Sequence, residues 1–157
     1  MCHYCGCRQI PLIRDYIAEH DLVVDLGGRA VRALGHGQIE EATGLVARMR
    51  EELRKHWQGE ENGVFTVMAA QDPMYADYVA PLVSEHRELE QFLATIDLDS
   101  EEHRVRLQRE MDDLAEHITR EEDGLFPATL VSLSGPEWDL AMAAWHEAHP
   151  GESLIAD

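Results

Sequence analysis

The sequence has little positive charge. Lysine and arginine together number 13 among 157 residues, against 31 aspartates and glutamates, so the formal net charge is −18 with histidine neutral. A chain this acidic repels the phosphates of nucleic acids and the surfaces of anionic membranes. We therefore expect neither a nucleic acid nor a membrane as a partner.

Long apolar runs are absent, and cysteine is scarce. No stretch approaches the roughly 20 apolar residues that a membrane span needs. The N-terminus, MCHYCGCRQI, lacks the basic segment and apolar run of a secretory signal. The three cysteines all fall within the first seven residues, too close together for a disulfide framework across a domain. The sequence predicts a soluble, cytoplasmic protein.

What the chain does contain is helical periodicity. Beyond residue 9, apolar residues recur at steps of three and four. We predict four long helices, at about 10–34, 39–70, 74–96 and 101–133, and a short fifth near 137–146. Long helices joined by short turns pack as antiparallel neighbours. The predicted fold is all-α: an up-down-up-down four-helix bundle over 10–133, preceded by a Cys-rich segment (1–9) and followed by a C-terminal extension (134–157).

Two stretches of the second and fourth predicted helices are nearly the same. HWQGEENGVF at 56–65 and HITREEDGLF at 117–126 each read His, three residues, Glu-Glu, one residue, Gly, an aliphatic residue and Phe. The first and third helices share a shorter repeat, Glu-His, at 19–20 and 85–86. The chain therefore resembles one helical hairpin used twice.

These repeats place ionisable residues on apolar helix faces. Residues four apart on a helix project from the same face, so the second residue of each His-x-x-x-Glu pair lies one turn beyond the first. Seven residues are predicted to face the bundle interior: His20, His56, Glu60, His86, Glu90, His117 and Glu121. A single histidine of this kind is more often an ordinary core residue. Four at matching positions on four helices indicate a shared site.

Buried carboxylates at this site require a positive partner. Without one they would offset most of the ~5–15 kcal/mol net stability of a typical domain, and no Lys or Arg falls on these stripes near the histidines. Two metal ions would satisfy all seven groups, with imidazoles as terminal ligands and carboxylates bridging the ions. The mixed nitrogen and oxygen set favours iron, with manganese and zinc less suited.

The pattern resembles the hemerythrin-like family, also called the HHE cation-binding domain, over about residues 10–133. The matching motifs are His20, HWQGE at 56–60, His86 and HITREEDGLFP at 117–127. The resemblance implies an oxo- or hydroxo-bridged pair of iron ions, with Glu60 and Glu121 bridging and four histidines as terminal ligands. It also implies an open position on one iron for a small molecule.

Two positions differ from the oxygen-carrying members of that family. Those carriers have His-x-x-x-His on the third helix, where this chain has Glu90, and they end the last motif with Asp five residues after its His, where this chain has Glu122. A carboxylate in place of an imidazole stabilises ferric over ferrous iron. The expected function is therefore binding of, or reaction with, dioxygen, peroxide or nitric oxide rather than oxygen transport. The alternatives are an iron, oxygen or redox sensor or an iron store, and a metal-free acidic bundle used in assembly. Whether the protein is an enzyme, and which protein partner it has, stay open.

Several residues outside this set raise further hypotheses. CHYCGC at 2–7 offers three thiols and one imidazole, enough for zinc binding or thiol oxidation, with His146 and His149 as candidates to complete a metal site. An inert terminus is the competing interpretation. Glu61 and Glu122 follow the bridging carboxylates and are candidates to accept hydrogen bonds from imidazoles, against plain surface solvation. Gly63 and Gly124 suggest close helix contacts.

Overall fold

The computed structural model of the protein describes residues 6–155 and contains only helices and connecting turns within that range. A short 3-10 helix, Cys7–Gln9, precedes the bundle. The α-helices are α1 (Ile13–Gly35), α2 (Ile39–Glu60), α3 (Thr66–Gln71), α4 (Pro73–Thr95), α5 (Glu101–Arg120), α6 (Phe126–Ser132) and α7 (Gly135–Ala148). The prediction of an all-α bundle is confirmed.

Two π-helical segments interrupt the second and fourth long helices. Glu61–Phe65 continues α2 into α3, and Glu121–Leu125 continues α5 into α6. A π-helical turn inserts an extra residue into the helical ladder, and such turns occur often at functional sites. Each segment begins directly after or at a carboxylate of the His-x-x-x-Glu motif. The predicted helices at 39–70 and 101–133 are therefore each composed of three successive pieces.

The helix ends follow local chemistry. Pro73 opens α4 at a position where no backbone N–H is needed, and the Asp72 side chain accepts a hydrogen bond from the N–H of Met74 at 2.8 Å. The Ser100 side chain accepts a hydrogen bond from the N–H of His103 at the start of α5. Pro81 lies inside α4, which continues from Pro73 to Thr95 around it.

The bundle core consists of two apolar clusters. One lies toward the α1–α2 turn and includes Leu26, Met49, Leu53, Phe92 and Leu107. The other lies toward the opposite end and includes Ile13, Tyr16, Phe65, Leu82 and Phe126. The polar residues of the motifs occupy the helix turns between these two clusters. The site is therefore enclosed by apolar side chains along the bundle axis.

The C-terminal helix α7 packs against α2 and the first π-helical segment. The chain after it returns to the start of the bundle, where the N–H of Ile155 donates to Asp15 at 2.6 Å. None of the helices in the described part of the chain combines the length and apolar character that crossing a membrane requires. Cys7 is disulfide-bonded, and the remaining residues of the predicted Cys cluster, Cys2, His3 and Cys5, lie outside the described residues.

Candidate metal centre

Four buried imidazoles form two pairs at the centre of the bundle. Nε2 of His20 on α1 lies 3.0 Å from Nε2 of His56 on α2. Nε2 of His86 on α4 lies 2.9 Å from Nε2 of His117 on α5. None of the four is more than 4% exposed. The bundle has two helical hairpins, α1–α2 and α4–α5. Each hairpin contributes one imidazole pair, as their sequence repeat suggests.

Two carboxylates with no exposed surface lie between these pairs. Glu121 contacts both of them, with Oε1 2.8 Å from Nε2 of His117 and Oε2 3.1 Å from Nε2 of His20. Glu60 has Oε2 3.2 Å from Nε2 of His56 and 3.8 Å from Nε2 of His86. Both carboxylates therefore lie between the two imidazole pairs. The ligand atoms form two compact groups that share Glu121.

A ring of four further carboxylates surrounds the imidazoles. Each histidine directs Nδ1 at one glutamate, at 2.7 to 3.0 Å. The four pairs are His20 with Glu122, His56 with Glu19, His86 with Glu61 and His117 with Glu85. A carboxylate at Nδ1 orients an imidazole, makes it a stronger donor and leaves Nε2 for a metal ion.

The symmetry of the two hairpins extends to this ring. Glu61 and Glu122 each follow a buried carboxylate and contact a histidine of the other hairpin. This is the hydrogen-bonding role, one of the two alternatives that the sequence left open. Glu19 and Glu85 each precede a histidine and contact the other histidine of their own hairpin. No role was predicted for Glu19 or Glu85, although the repeated Glu-His marks both residues in the sequence.

The protonation equilibria show how strongly these groups interact. Burial lowers the pKa of His56, but the charge of Glu60 and the hydrogen bond to Glu19 outweigh it, so this pKa lies well above its ordinary value. The pKa of His20 and that of His117 are raised for the same kind of reason. Burial raises the pKa of Glu121, but its contacts with His117 and His20 hold it well below the usual range. The buried carboxylates therefore favour the protonated form of these imidazoles.

Protonated imidazoles do not satisfy every buried hydrogen-bond acceptor of the site. Both oxygens of Glu60 and both of Glu121 are buried, and none of them accepts a hydrogen bond of good geometry from the described residues. A neutral imidazole that donates from Nδ1 presents a lone pair at Nε2. Four such nitrogens and four carboxylate oxygens converge on one volume. The donor set therefore fits metal cations, which accept these lone pairs.

The comparison with known families agrees with this geometry. The model of the hemerythrin HHE cation binding domain matches residues 12–129. The chain belongs to this family. Searches of curated proteins and of solved structures each returned no significant match. The hemerythrin match includes all six residues of the buried cluster, so this chain is a metal-binding helical protein whose His and Glu side chains can hold the cations.

Each π-helical segment of this hemerythrin domain contains one glycine with a close neighbour. Gly63, with φ −104° and ψ −108°, departs from helical geometry, and a Cβ there would lie 3.1 Å from the carbonyl oxygen of Ala141 and 3.3 Å from Cβ of Ala144. A Cβ on Gly124 would collide with the hydroxyl group of Tyr78, which donates to the carbonyl of Arg120. The predicted close contacts at both glycines are thus present beside the site.

Glu90 requires a correction to the predicted set, because the structure does not bring it into the cluster. Its carboxylate is partly exposed and pairs with Arg50 of α2, with Nη2 2.6 Å from Oε1 and Nε 3.1 Å from Oε2. Arg50 therefore holds the Glu90 carboxylate away from the cluster. The helical periodicity of α2 did not predict this ion pair. The other six predicted residues come together in the buried cluster.

Three further histidines form hydrogen bonds outside the imidazole pairs. His36 bonds through Nδ1 to the carbonyl of Arg32 at the end of α1, and His103 accepts from the N–H of Asp97. His149 stacks on Trp145 at 4.2 Å between ring centroids, and its Nδ1 lies 2.8 Å from the carbonyl oxygen of Trp145. Trp57 stacks on the ring of His86 at 5.0 Å. The Trp57 indole therefore contacts the site.

Proposed function

We propose that this protein holds two iron ions with an oxo or hydroxo bridge and binds or reacts with a small oxidant. His20 and His56 would hold one ion, His86 and His117 the other, and Glu60 and Glu121 would contact both. The observation that carries the proposal is the pair of fully buried carboxylates between two imidazole pairs, whose oxygens accept no well-formed hydrogen bond within the described residues. When bound, the ions would supply the redox chemistry toward dioxygen, peroxide or nitric oxide.

The donor chemistry of the site favours iron, with manganese and zinc less suited. The imidazole nitrogens and the carboxylate oxygens of the buried cluster form a mixed donor set. Such a set suits a redox-active ion.

The outer carboxylates favour oxidation over reversible carriage. Each of the four histidines directs Nδ1 to a glutamate, which strengthens its Nε2 as a donor. Stronger donors and added negative charge stabilise the ferric state over the ferrous state. With Glu90 paired to Arg50, this effect comes from Glu19, Glu61, Glu85 and Glu122. We therefore propose that the centre reacts with its oxidant and does not release it unchanged.

The residues around the metal positions would serve three purposes. The Nδ1 contacts hold each imidazole in one orientation, so little reorganisation is needed when the ions bind. The two apolar clusters exclude bulk water along the bundle axis. Tyr16, fully buried and edge-on to His56 at 5.5 Å, has a hydroxyl that makes no hydrogen bond within the described residues. It is available as a donor beside the centre.

A sensor is the second candidate, and one contact favours it. Oε1 of Glu19 accepts a hydrogen bond from Nε1 of Trp145 on α7 at 2.6 Å, while Oε2 lies 2.7 Å from Nδ1 of His56. A change at His56 can therefore reach α7 through one carboxylate. In this role the metal or oxidation state would alter the docking of α7 and so the outer surface.

One experiment separates these proposals. Iron content of the freshly purified chain is measured first, and the reduced protein is then mixed with peroxide, dioxygen or nitric oxide while the visible spectrum is followed. Turnover of one oxidant supports reaction. A stable spectral change without turnover, accompanied by altered proteolysis of α7, supports sensing. A chain that contains no iron and gains none on reconstitution would exclude both.

A further inference from the structure

One face of the metal centre opens toward solvent. A pocket of about 240 Å³ lies between α4 and α5. Its lining includes Trp57, Leu89, Leu114 and the two imidazoles of one pair, His86 and His117. The pocket therefore connects the surface with the ligands of one metal position.

The walls of this pocket are acidic. Five carboxylates line it: Glu85, Glu88, Glu110, Asp113 and Glu116. Apart from the two imidazoles, Arg120 is the one basic side chain among the described residues of the lining, and it is paired with Glu85. Several of the carboxylates are exposed at the mouth. Negative charge on the walls lowers the local concentration of anions and leaves neutral molecules unaffected.

The opposite face of the centre is covered. The indole of Trp145 on α7 donates to Glu19, and α7 packs closely on the first π-helical segment, where a Cβ on Gly63 would meet the backbone of Ala141. Trp145 and Ala141 are both buried. The two hairpins are similar in sequence, but within residues 6–155 only the α1–α2 side of the centre has a further helix, α7, lying over it.

We propose that small molecules reach the centre through the α4–α5 pocket, that they bind on the side of His86 and His117, and that the pocket carboxylates select neutral oxidants over anions. This inference rests on the proposed two-metal centre and specifies which of the two metal positions small molecules can reach. Neutral dioxygen, hydrogen peroxide and nitric oxide pass the acidic walls without electrostatic cost. Anionic ligands such as azide, nitrite and superoxide are opposed.

The charge selectivity is tested with azide and nitric oxide as probes of the iron-loaded protein. Replacing two exposed pocket residues, Glu88→Lys with Glu116→Lys, reverses the charge at the mouth. We expect azide affinity, read from its visible absorption band, to rise on the order of tenfold at low ionic strength and to lose this gain in high salt. The nitric oxide association rate should stay unchanged.

The control carries the same charge change on the covered side. Asp139→Lys with Glu147→Lys alters two exposed residues of α7. We expect less than a twofold change in azide affinity. An equal gain in the control, or no gain in the pocket variant, would overturn the charge selectivity.

The route itself is tested by filling it. Glu116→Trp introduces bulk at the pocket, and Ala143→Trp introduces the same bulk at an exposed position of α7. We expect nitric oxide association to slow several-fold in the first variant and not in the second. The reverse result would overturn the route. A wild-type chain that holds no iron would instead defeat the underlying proposal before these variants are compared.

Metal-free protein provides an independent readout. Diethyl pyrocarbonate modifies accessible imidazoles, and peptide mass spectrometry locates the product. We expect Glu116→Trp to slow modification of His86 and His117 relative to the wild type, and Ala143→Trp to leave it unchanged. Protection by Ala143→Trp alone would contradict the assigned route without involving iron.

Discussion

Nδ1 of His86 lies 2.9 Å from Oε1 of Glu61, although the two residues belong to different hairpins of the bundle. This contact crosses from α4 to the π-helical segment after α2, and its counterpart joins His20 to Glu122. Each hairpin therefore supplies carboxylates that orient the imidazoles of the other. The metal centre and the packing of the two hairpins depend on the same contacts.

Glu61→Gln tests this dependence. The amide keeps the size of the side chain but loses the charge that makes His86 a stronger donor, so we expect metal affinity to fall about 10- to 100-fold. Competition against a chelator of known affinity measures the change. The control is Glu88→Gln, at an exposed residue of α4 whose carboxylate accepts a hydrogen bond from the Ser84 hydroxyl, and it should leave the affinity within twofold. Equal losses in both variants would contradict the assigned role.

Glu90→Gln distinguishes the observed pairing from the predicted ligand role. Because its carboxylate is held by Arg50, we expect iron content to remain at the wild-type level and stability to change by about 1 kcal/mol or less, as for other partly exposed ion pairs. Glu60→Gln is the matched variant inside the cluster and should lose iron. Elemental analysis of both proteins measures the outcome. Loss of iron from Glu90→Gln would restore Glu90 to the ligand set.

Gly63→Ala tests the contact between α7 and the first π-helical segment. The added methyl group would meet the carbonyl of Ala141 at 3.1 Å, so α7 must move, and we expect the free energy of unfolding to fall by about 1–3 kcal/mol. Gly44→Ala is the control, since nothing lies within 4 Å of its Cβ position in α2. There we expect a gain of about 0.5–1 kcal/mol. Urea denaturation measures both, and a stabilised Gly63→Ala would refute the close approach.

Metal binding should release protons. The pKa of His56 is well above its ordinary value in the metal-free site and that of His20 is raised, so both imidazoles hold their protons more strongly than a free histidine does. A metal ion must displace these protons to bind. The apparent metal affinity should therefore increase as the pH rises through the pKa values of these imidazoles. Titration of metal into weakly buffered protein with a pH indicator detects the release. Constant affinity between pH 6 and 8 would show that the imidazoles are already neutral.

The sequence was sufficient for the architecture and most of the cluster because both follow from helical periodicity. His56 with Glu60 and His117 with Glu121 are each one turn apart, so a helix alone brings them to one face. The pairing of the two hairpins then followed from the repeat. These features depend on local geometry, which single residues rarely override.

The features that were missed depend on contacts between helices. Arg50 reaches Glu90 across the α2–α4 interface, and Trp145 reaches Glu19 from a helix more than 100 positions later in the chain. Neither partner shares a periodic pattern with the residue that it contacts. The π-helical segments were missed because their extra residue lies inside an otherwise continuous helical pattern. Gly63 and Gly124 marked these segments without specifying their geometry.

The most direct measurement is an anomalous-scattering map at the iron edge from crystals of the iron-loaded protein. The account predicts two iron peaks per chain, one beside His20 and His56 and one beside His86 and His117, with Glu60 and Glu121 between them and Glu90 paired with Arg50. A single peak, or peaks away from these six residues in a folded, iron-supplied chain, would contradict it.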